Sequence, residues 1–234
     1  MRPRPGQVGG LPVALRRALV WWDFSYGLRS VLGRPLTLTP DNGVTFSAEG
    51  MVADAIDEHA YADLPSDLKR YGNVTVVVVA RPTGTWLGSG NGTIAGVQYS
   101  VPHNIPYISL GVVATADSPS HPQGYVSTVG GDHTATLATT WEGGQRRTTL
   151  AAWDTGVGEM QALGAHAARV SDAYGGGGIA YSATSRFTVA DGTAASRNVP
   201  GVYYGAGIIR ERVTPLELSA ILRFMQGGRR VYPC

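Results

Sequence analysis

The chain has 234 residues and a formal net charge of +2 at neutral pH. Its 32 Gly and 14 Pro residues are typical of a turn-rich protein of short strands, and the length suffices for one sizeable core. The balanced charge argues against a nucleic-acid partner, which normally needs a dense basic face with aromatic residues interleaved. No apolar run approaches the length of a membrane span, so we expect no insertion into a membrane.

The single cysteine, Cys234, cannot form a disulfide within the chain. This favours folding in a reducing cytoplasm. The basic first residues are not followed by the apolar stretch of a secretory signal, so we expect no export by that route. We interpret Cys234 as a terminal thiol without a catalytic role.

Residues 1–18 are predicted to form an N-terminal arm and a short helix. Residues 1–10 are rich in Pro, Gly and Arg, a composition typical of segments that are disordered or bound to a neighbouring molecule. Residues 11–18 can form one or two helical turns. Basic residues near both ends are either solvated surface or contacts with neighbouring subunits, and the candidate assembly contacts are Arg2, Arg4, Arg229 and Arg230.

The remainder of the chain predicts about a dozen short strands. Residues 19–24 form an aromatic first strand, and residues 35–39 and 44–47 predict a hairpin around an Asp-Asn-Gly turn. Residues 73–80 are the most apolar run and the candidate central strand. Further strands are predicted at 60–64, 96–101, 107–114, 124–129, 134–141, 148–154 and 186–190. This pattern predicts two antiparallel sheets packed face to face.

The clearest local signals lie near the C-terminus. Residues 201–212 predict an edge strand. A helix follows, with Thr214 as its N-cap, Pro215 in its first position and Glu217 completing a capping box. Gly227 is expected to end this helix, whose apolar residues repeat at helical spacing as Leu218, Ile221, Leu222 and Met225.

Four segments follow one another as the strands of a known fold do: LVWWDFS (19–25), AYADLPSDL (60–68), NVTVVVVARPTG (73–84) and YYGAGIIRERVTPLELSAIL (203–222). With them the chain resembles the concanavalin A-like or laminin G-like jelly roll over most of residues 19–226, and it matches poorly over 85–145. The resemblance implies an all-β, two-sheet antiparallel β-sandwich with a short C-terminal helix. The N-terminal arm and a tail over 227–234 would lie outside this single domain of residues 19–226.

No catalytic constellation is recognisable in the sequence. Enzymes on this fold often carry the carboxylate pattern E-x-D-x-x-E on one strand, which is absent. Asp54, Asp57 and Glu58 are the nearest cluster, and a solvated loop explains them. The sequence also lacks a G-x-S-x-G nucleophile turn and the histidine spacing of a metal site. Asp132 and His133 form the most site-like pair, with a polar turn as the alternative. We therefore assign no catalytic residue and predict that the chain is not an enzyme.

Aromatic residues in or beside the predicted loops are the candidate ligand contacts, because sugar rings stack on Trp and Tyr faces. Such residues can equally anchor a protein partner. They are Trp86, Tyr107, Tyr125, Trp141 and Tyr174.

The resemblance also implies a calcium site near a glycan-binding edge. Asp154 and Asp172 are the best-placed oxygens for it. Two isolated carboxylates fall short of the six to eight oxygen ligands that calcium takes, so we expect no cofactor.

These observations predict a non-enzymatic structural or adhesion protein. A jelly roll made without export fits best on a virus particle, so we expect a bacteriophage virion component, either a capsid decoration or a tail protein, assembled in the host cytoplasm. It would pack on other virion proteins, form a homo-oligomer and bind cell-surface glycans. The virus assignment follows from context and resemblance rather than from any residue. The alternatives are a glycan-binding lectin outside a virion and a glycoside hydrolase or lyase.

Overall fold

Two antiparallel sheets packed face to face and one C-terminal helix make up the protein. The computed structural model describes residues 10–55, 58–71, 73–82, 90–99, 106–114, 121–128, 131–136, 148–154, 159–164, 170–173, 185–190, 199–227 and 230–232. The predicted all-β sandwich with a short C-terminal helix is confirmed.

The larger sheet has nine strands in the described residues. Seven of them lie in the order β14 (Val170–Ala173), β13 (Glu159–Gly164), β12 (Thr148–Asp154), β7 (Val74–Pro82), β16 (Gly201–Arg210), β1 (Ala18–Asp23) and β2 (Leu32–Gly33). The other two are β5 (Met51–Ala53), which pairs with β16, and β4 (Thr45–Phe46), which pairs with β5.

The smaller sheet has seven strands in the same described ranges. Their order is β11 (Gly131–Thr136), β10 (His121–Thr128), β9 (Pro106–Ala114), β8 (Gly90–Tyr99), β15 (Ser185–Val189), β6 (His59–Asp63) and β3 (Thr39–Asp41). Each pair of neighbours is antiparallel.

The main core lies between the two sheets. Successive strand residues point to opposite faces, so Val76 and Val78 of β7 pack into this core, whereas Val77 and Val79 pack into a second one. The rings of Trp22 and Phe187 stack across the main core with centroids 4.9 Å apart. Burying an aromatic side chain of this size contributes roughly 1.5–3 kcal/mol.

Helix α1 (Pro215–Gln226) covers the second core on the other face of the larger sheet. The Thr214 side chain accepts from the Glu217 backbone N–H, and the Glu217 carboxylate accepts from the Thr214 N–H, so the capping box is confirmed. Ala14 and Leu15, from a short 3₁₀ turn, are buried in the same core. In the part of the chain that the structure describes, no helix combines the length and apolarity needed to cross a membrane.

The prediction that residues 201–212 form an edge strand is wrong. Strand β16 lies between β7 and β1, and each of its residues except Arg210 is buried. Gly207 permits the close approach to β1, because a Cβ there would lie 2.3 Å from the Val20 carbonyl oxygen. A continuous apolar run of this kind is typical of a strand covered on both faces.

The hairpin predicted over residues 35–47 is also wrong. Strand β3 pairs with β6 in the smaller sheet, whereas β4 pairs with β5 in the larger one. The connecting residues Asn42 and Gly43 have φ of 53° and 98°, the left-handed conformation that hairpin turns also require. The same turn chemistry therefore serves here to carry the chain from one sheet to the other.

Candidate functional site

The face of the smaller sheet that points away from the main core carries a continuous row of small, polar and tyrosine residues. Backbone pairing joins one position from each strand, so all seven share a face. We call this set the polar row; its members are Thr39, Tyr61, Thr188, Gly96, Ser109, Tyr125 and Thr134.

Exposure along the polar row falls from its ends towards its middle. Thr39 and Thr134 are exposed, Tyr61 and Tyr125 are half-buried, and Thr188 is buried. Four strand spacings place the two tyrosines about 19 Å apart. The smallest residues lie between them, and Thr188 and Gly96 among these are buried. We call this stretch of the row, between its two tyrosines, the groove.

One end of this groove carries a charged cluster around Tyr61. The Arg186 guanidinium carbon lies 4.4 Å from the centroid of the Tyr61 ring, within the range of a cation–π contact. Arg186 Nε donates to Asp63 Oδ1 at 2.7 Å. We call Tyr61, Asp63 and Arg186 the arginine cluster. The Arg186 side chain is 31% exposed and that of Asp63 is 77% exposed, so the cluster is open to solvent.

A histidine lies on the other side of Tyr61. The rings of His59 and Tyr61 have centroids 6.0 Å apart, and His59 Nε2 lies 3.5 Å from Asp41 Oδ2. At the opposite end of the groove, Gln123 Nε2 donates to Thr136 Oγ1 at 2.9 Å. Among the side chains that the structure describes on this face, charged groups therefore lie at the Tyr61 end, and a neutral amide and hydroxyl lie at the Tyr125 end.

A second polar cluster ties the C-terminal segment to the larger sheet. Asp23 is fully buried, and its carboxylate accepts from Arg230 Nε and Nη2, from the Tyr232 hydroxyl and from the Ser25 backbone N–H. The Tyr26 hydroxyl donates to the Arg230 carbonyl oxygen. We call Asp23, Arg230 and Tyr232 the tail clamp.

Electrostatics in the tail clamp favour the neutral tyrosine beside the ion pair. Burial raises the pKa of the Tyr232 hydroxyl, and the charge and hydrogen bond of Asp23 raise it further. Burial disfavours the charge on Arg230, but the hydrogen bond and charge of Asp23 outweigh it and raise the pKa of the guanidinium. Because the Asp23 carboxylate is so fully hydrogen-bonded, the clamp is a structural feature and not a reactive one.

Two of the five predicted ligand-binding aromatic residues lie in described strands. Tyr125 lies inside β10 rather than in a loop, and it belongs to the polar row. Tyr107 lies inside β9, at a shift of register between Pro106 and Ile108. The other three lie outside the described residues: Trp86, Trp141 and Tyr174.

Of the predicted assembly contacts, only Arg230 lies within the described residues. Its guanidinium contacts the chain's own Asp23, and its side chain is 9% exposed. Contact with a neighbouring subunit stays a prediction for this residue. The others, Arg2, Arg4 and Arg229, lie outside the described residues, as does Cys234.

The two candidate calcium ligands share one row of the larger sheet. Asp154 pairs with Met160, and Met160 pairs with Asp172. Their backbones are therefore two strands apart, about 10 Å. Within the described ranges, no three His, Cys, Asp or Glu side chains come together as metal ligands would.

The acidic cluster nearest to a catalytic pattern has a structural explanation. Glu58 is almost fully buried, and its carboxylate accepts from the backbone N–H groups of Asp54 and Ala55. Asp54 is exposed, and Asp57 lies outside the described residues. His133 of the other predicted pair is a half-buried residue of β11.

Sequence reasoning missed the arginine cluster. The alternation of SRFTV (185–189) does place Arg186 and Thr188 on the face opposite Phe187, and this signal was available. The strand order was not, and only that order brings Arg186 beside Tyr61 and Asp63, which lie more than 120 residues away in the chain.

No family model matches the sequence, and no curated protein matches it. Solved structures match the fold. The receptor-binding domain of botulinum neurotoxin mosaic serotype C/D matches with a TM-score of 0.64 at 8% identity, covering 90% of this chain and 51% of that one. The chain thus spans about half the length of this structure.

Two further structures belong to proteins that act on or bind carbohydrates. Domain 4 of AbnA, a GH43 extracellular arabinanase from Geobacillus stearothermophilus solved with arabinotriose, matches with a TM-score of 0.61 at 14% identity, covering 88% of this chain and 98% of that one. A Trypanosoma rangeli sialidase matches with a TM-score of 0.59 at 11% identity, covering 87% of this chain and 32% of that one. At such identities the likeness establishes the β-sandwich fold alone.

Proposed function

We propose that this chain is a non-enzymatic carbohydrate-binding module whose ligand lies along the polar row. The observation that carries the proposal is the row itself, which crosses all seven strands of the smaller sheet with small residues between two tyrosines. An antiparallel sheet commonly has a polar outer face, and the feature that favours a ligand here is the placement of tyrosines on either side of small residues.

The chemistry of the groove suits a sugar chain. Tyr125 can offer an apolar ring face to sugar C–H groups and a hydroxyl to their oxygens, whereas the ring of Tyr61 contacts Arg186 and lies beside His59. The small residues Thr188 and Gly96 lie between the tyrosines and are buried, and the Thr188 hydroxyl donates to the Gly96 carbonyl oxygen at 3.4 Å. The amide of Gln123 and the hydroxyl of Thr136 add donors and acceptors at the neutral end.

The structural neighbours support the proposal by analogy. The arabinanase domain was solved with arabinotriose, and the work on a type C botulinum neurotoxin describes cell entry that depends on two ganglioside molecules. Because this fold serves many functions, the analogy adds to the argument from the polar row and does not replace it.

A glycan array tests the proposal, run once with calcium and once with a chelator. We expect binding to a defined set of glycans, and Tyr125→Ala should weaken it by about five- to thirtyfold, since an aromatic contact of this kind is worth roughly 1–2 kcal/mol. Phe46→Ala is the matched control, because Phe46 is an exposed aromatic residue of the other sheet. Absence of binding to every glycan would overturn the proposal. Equal binding with and without calcium is expected, because we propose no cofactor.

The non-enzymatic part of the proposal is supported by two described acidic residues whose carboxylates are already hydrogen-bonded within the chain. The Glu58 carboxylate accepts hydrogen bonds from backbone N–H groups, and the Asp23 carboxylate accepts one from Arg230 in the tail clamp. Measurable cleavage of a bound polysaccharide by the purified chain would contradict it, provided that the activity is lost in a variant such as Asp54→Asn.

The more specific proposal is that the module works as a virion component, a capsid decoration or tail protein assembled in the host cytoplasm. It is supported by the composition of residues 1–10, which are rich in Pro, Gly and Arg and suit contacts with neighbouring subunits. Mass spectrometry of purified virus particles tests it, and light scattering of the purified chain tests the expected homo-oligomer. A chain found only outside particles would leave the lectin alternative.

A further inference from the structure

We propose that the ligand of the polar row is an acidic glycan and that Arg186 binds its carboxylate. This inference rests on the proposed function and specifies the ligand of the same groove. It starts from the guanidinium of the arginine cluster, a half-buried cation on this face that two contacts hold in place.

Two contacts fix the orientation of Arg186. The Tyr61 ring lies under the guanidinium, and Asp63 accepts from Nε. Nη1 and Nη2 have no hydrogen-bond partner among the described residues. These two nitrogens present parallel N–H donors at the spacing that a carboxylate accepts with both oxygens. The side chain is therefore pre-organised for a planar anion before any ligand arrives.

The position of Arg186 connects it to the groove. Arg186 and Thr188 lie on the same face of β15, and Thr188 belongs to the polar row. Arg186 also pairs across the sheet with Gln98 of β8. A sugar chain lying between Tyr125 and Tyr61 would thus bring its terminal residue to the guanidinium.

Stability gives no alternative reason for this arrangement. An ion pair as exposed as that of Arg186 and Asp63 contributes little to folding, because solvent screens the charges. Asp63 neutralises part of the charge of Arg186 without covering it, since its own side chain is mostly exposed. The anion would replace water at Nη1 and Nη2 and would leave the contact with Asp63 intact.

Matched pairs of acidic and neutral glycans test the inference. The probes are 3′-sialyllactose against lactose, and oligogalacturonate against its methyl ester, titrated by calorimetry. The acidic member should bind about tenfold or more tightly, and its affinity should fall with rising salt. A sulfated lactose included in the series distinguishes a preference for the planar carboxylate from a general preference for anions.

Variants locate the effect. Arg186→Gln should abolish the acidic preference, and Arg186→Lys should lose most of it, because an ammonium group cannot form the two parallel bonds. Arg81→Lys is the matched control, since Arg81 is a half-buried arginine of β7 that contacts Glu49. The preference of Arg81→Lys for acidic over neutral glycans should equal that of the unchanged chain. The thermal unfolding temperatures of all three variants should be similar.

The outcomes separate this inference from the proposed function. Equal binding of acidic and neutral glycans would overturn the inference and leave the module in place, as would a preference for the sulfate ester over the carboxylate. An acidic preference that persists in Arg186→Gln would overturn the assignment to Arg186. Absence of binding to every probe and to every glycan of the array would overturn both.

Discussion

The protein contains two aspartate–arginine pairs that use the same chemistry in opposite surroundings. In the tail clamp, Asp23 is fully buried and the Arg230 side chain is 9% exposed. In the arginine cluster, Asp63 is 77% and Arg186 31% exposed. The first pair has its carboxylate fully hydrogen-bonded within the chain. In the second pair, two guanidinium nitrogens have no hydrogen-bond partner among the residues that the structure describes.

The difference indicates what each pair does. A buried charge is tolerated only when it is paired and hydrogen-bonded, so the tail clamp must be complete for the chain to fold around it. An exposed pair has no such requirement, and its open donors can serve a ligand. Stability should therefore respond to changes at Asp23 and Arg230, and binding to changes at Arg186.

The largest effect is expected from Asp23→Ala. The variant leaves the Arg230 guanidinium buried without its partner, which typically costs about 3–5 kcal/mol in the free energy of unfolding. Urea unfolding followed by tryptophan fluorescence measures it. The double variant with Arg230→Ala should recover part of the loss, because no unpaired charge then remains.

If Asp23→Ala lowered the free energy of unfolding by less than about 1 kcal/mol, the buried pair would behave like a surface pair. That result would contradict the contrast between the tail clamp and the arginine cluster. Asp63→Ala serves as the matched control. It removes the aspartate of the exposed pair and leaves the tail clamp unchanged.

The tail clamp also predicts how stability changes at alkaline pH. Burial first, and then the charge and hydrogen bond of Asp23, raise the pKa of Tyr232 in the folded chain, while burial raises that of Tyr203. The unfolded chain ionises its tyrosines near pH 10, so their contribution is complete below that pH and is lost as the pH rises above it.

Each such tyrosine should lower the free energy of unfolding by at most about 1.4 kcal/mol per pH unit in that range. Tyr232→Phe should flatten the decline, and so should Tyr203→Phe, whose hydroxyl donates to the Val199 carbonyl oxygen at 2.5 Å. Denaturant unfolding between pH 9 and 11 would test this range, and a slope that Tyr232→Phe leaves unchanged would contradict the raised pKa of Tyr232.

Local sequence signals predicted the local structure well. The capping box of Thr214 and Glu217, the end of the helix at Gly227 and strand β12 at residues 148–154 agree with the structure. Each depends on residues close together in the chain, where backbone conformation and hydrogen bonding are decided by a few neighbours.

Predictions that needed non-local pairing failed or were missing. The turn at Asn42 and Gly43 suits a hairpin and a crossing between sheets equally well, and only the partners of β3 and β4 distinguish them. The candidate site has the same limitation. The sequence alone identified Tyr125 as an aromatic candidate. That Tyr125 and Tyr61 lie in one row depends on the order of five strands, which no local pattern encodes.

Changes in the arginine cluster are expected to have the smallest effect on stability. Measuring that effect is the most direct test of the contrast with the tail clamp. Arg186→Ala and Asp63→Ala should each change the free energy of unfolding by about 0–1 kcal/mol, because the pair is exposed and screened. A double-mutant cycle on the same urea curves measures their coupling, which should be equally small and should shrink further in 1 M salt, where the screening length is about 3 Å. A coupling of about 3 kcal/mol, as in a buried pair, would mean that the arginine cluster stabilises the fold. It would also remove the reason to assign Arg186 to a ligand.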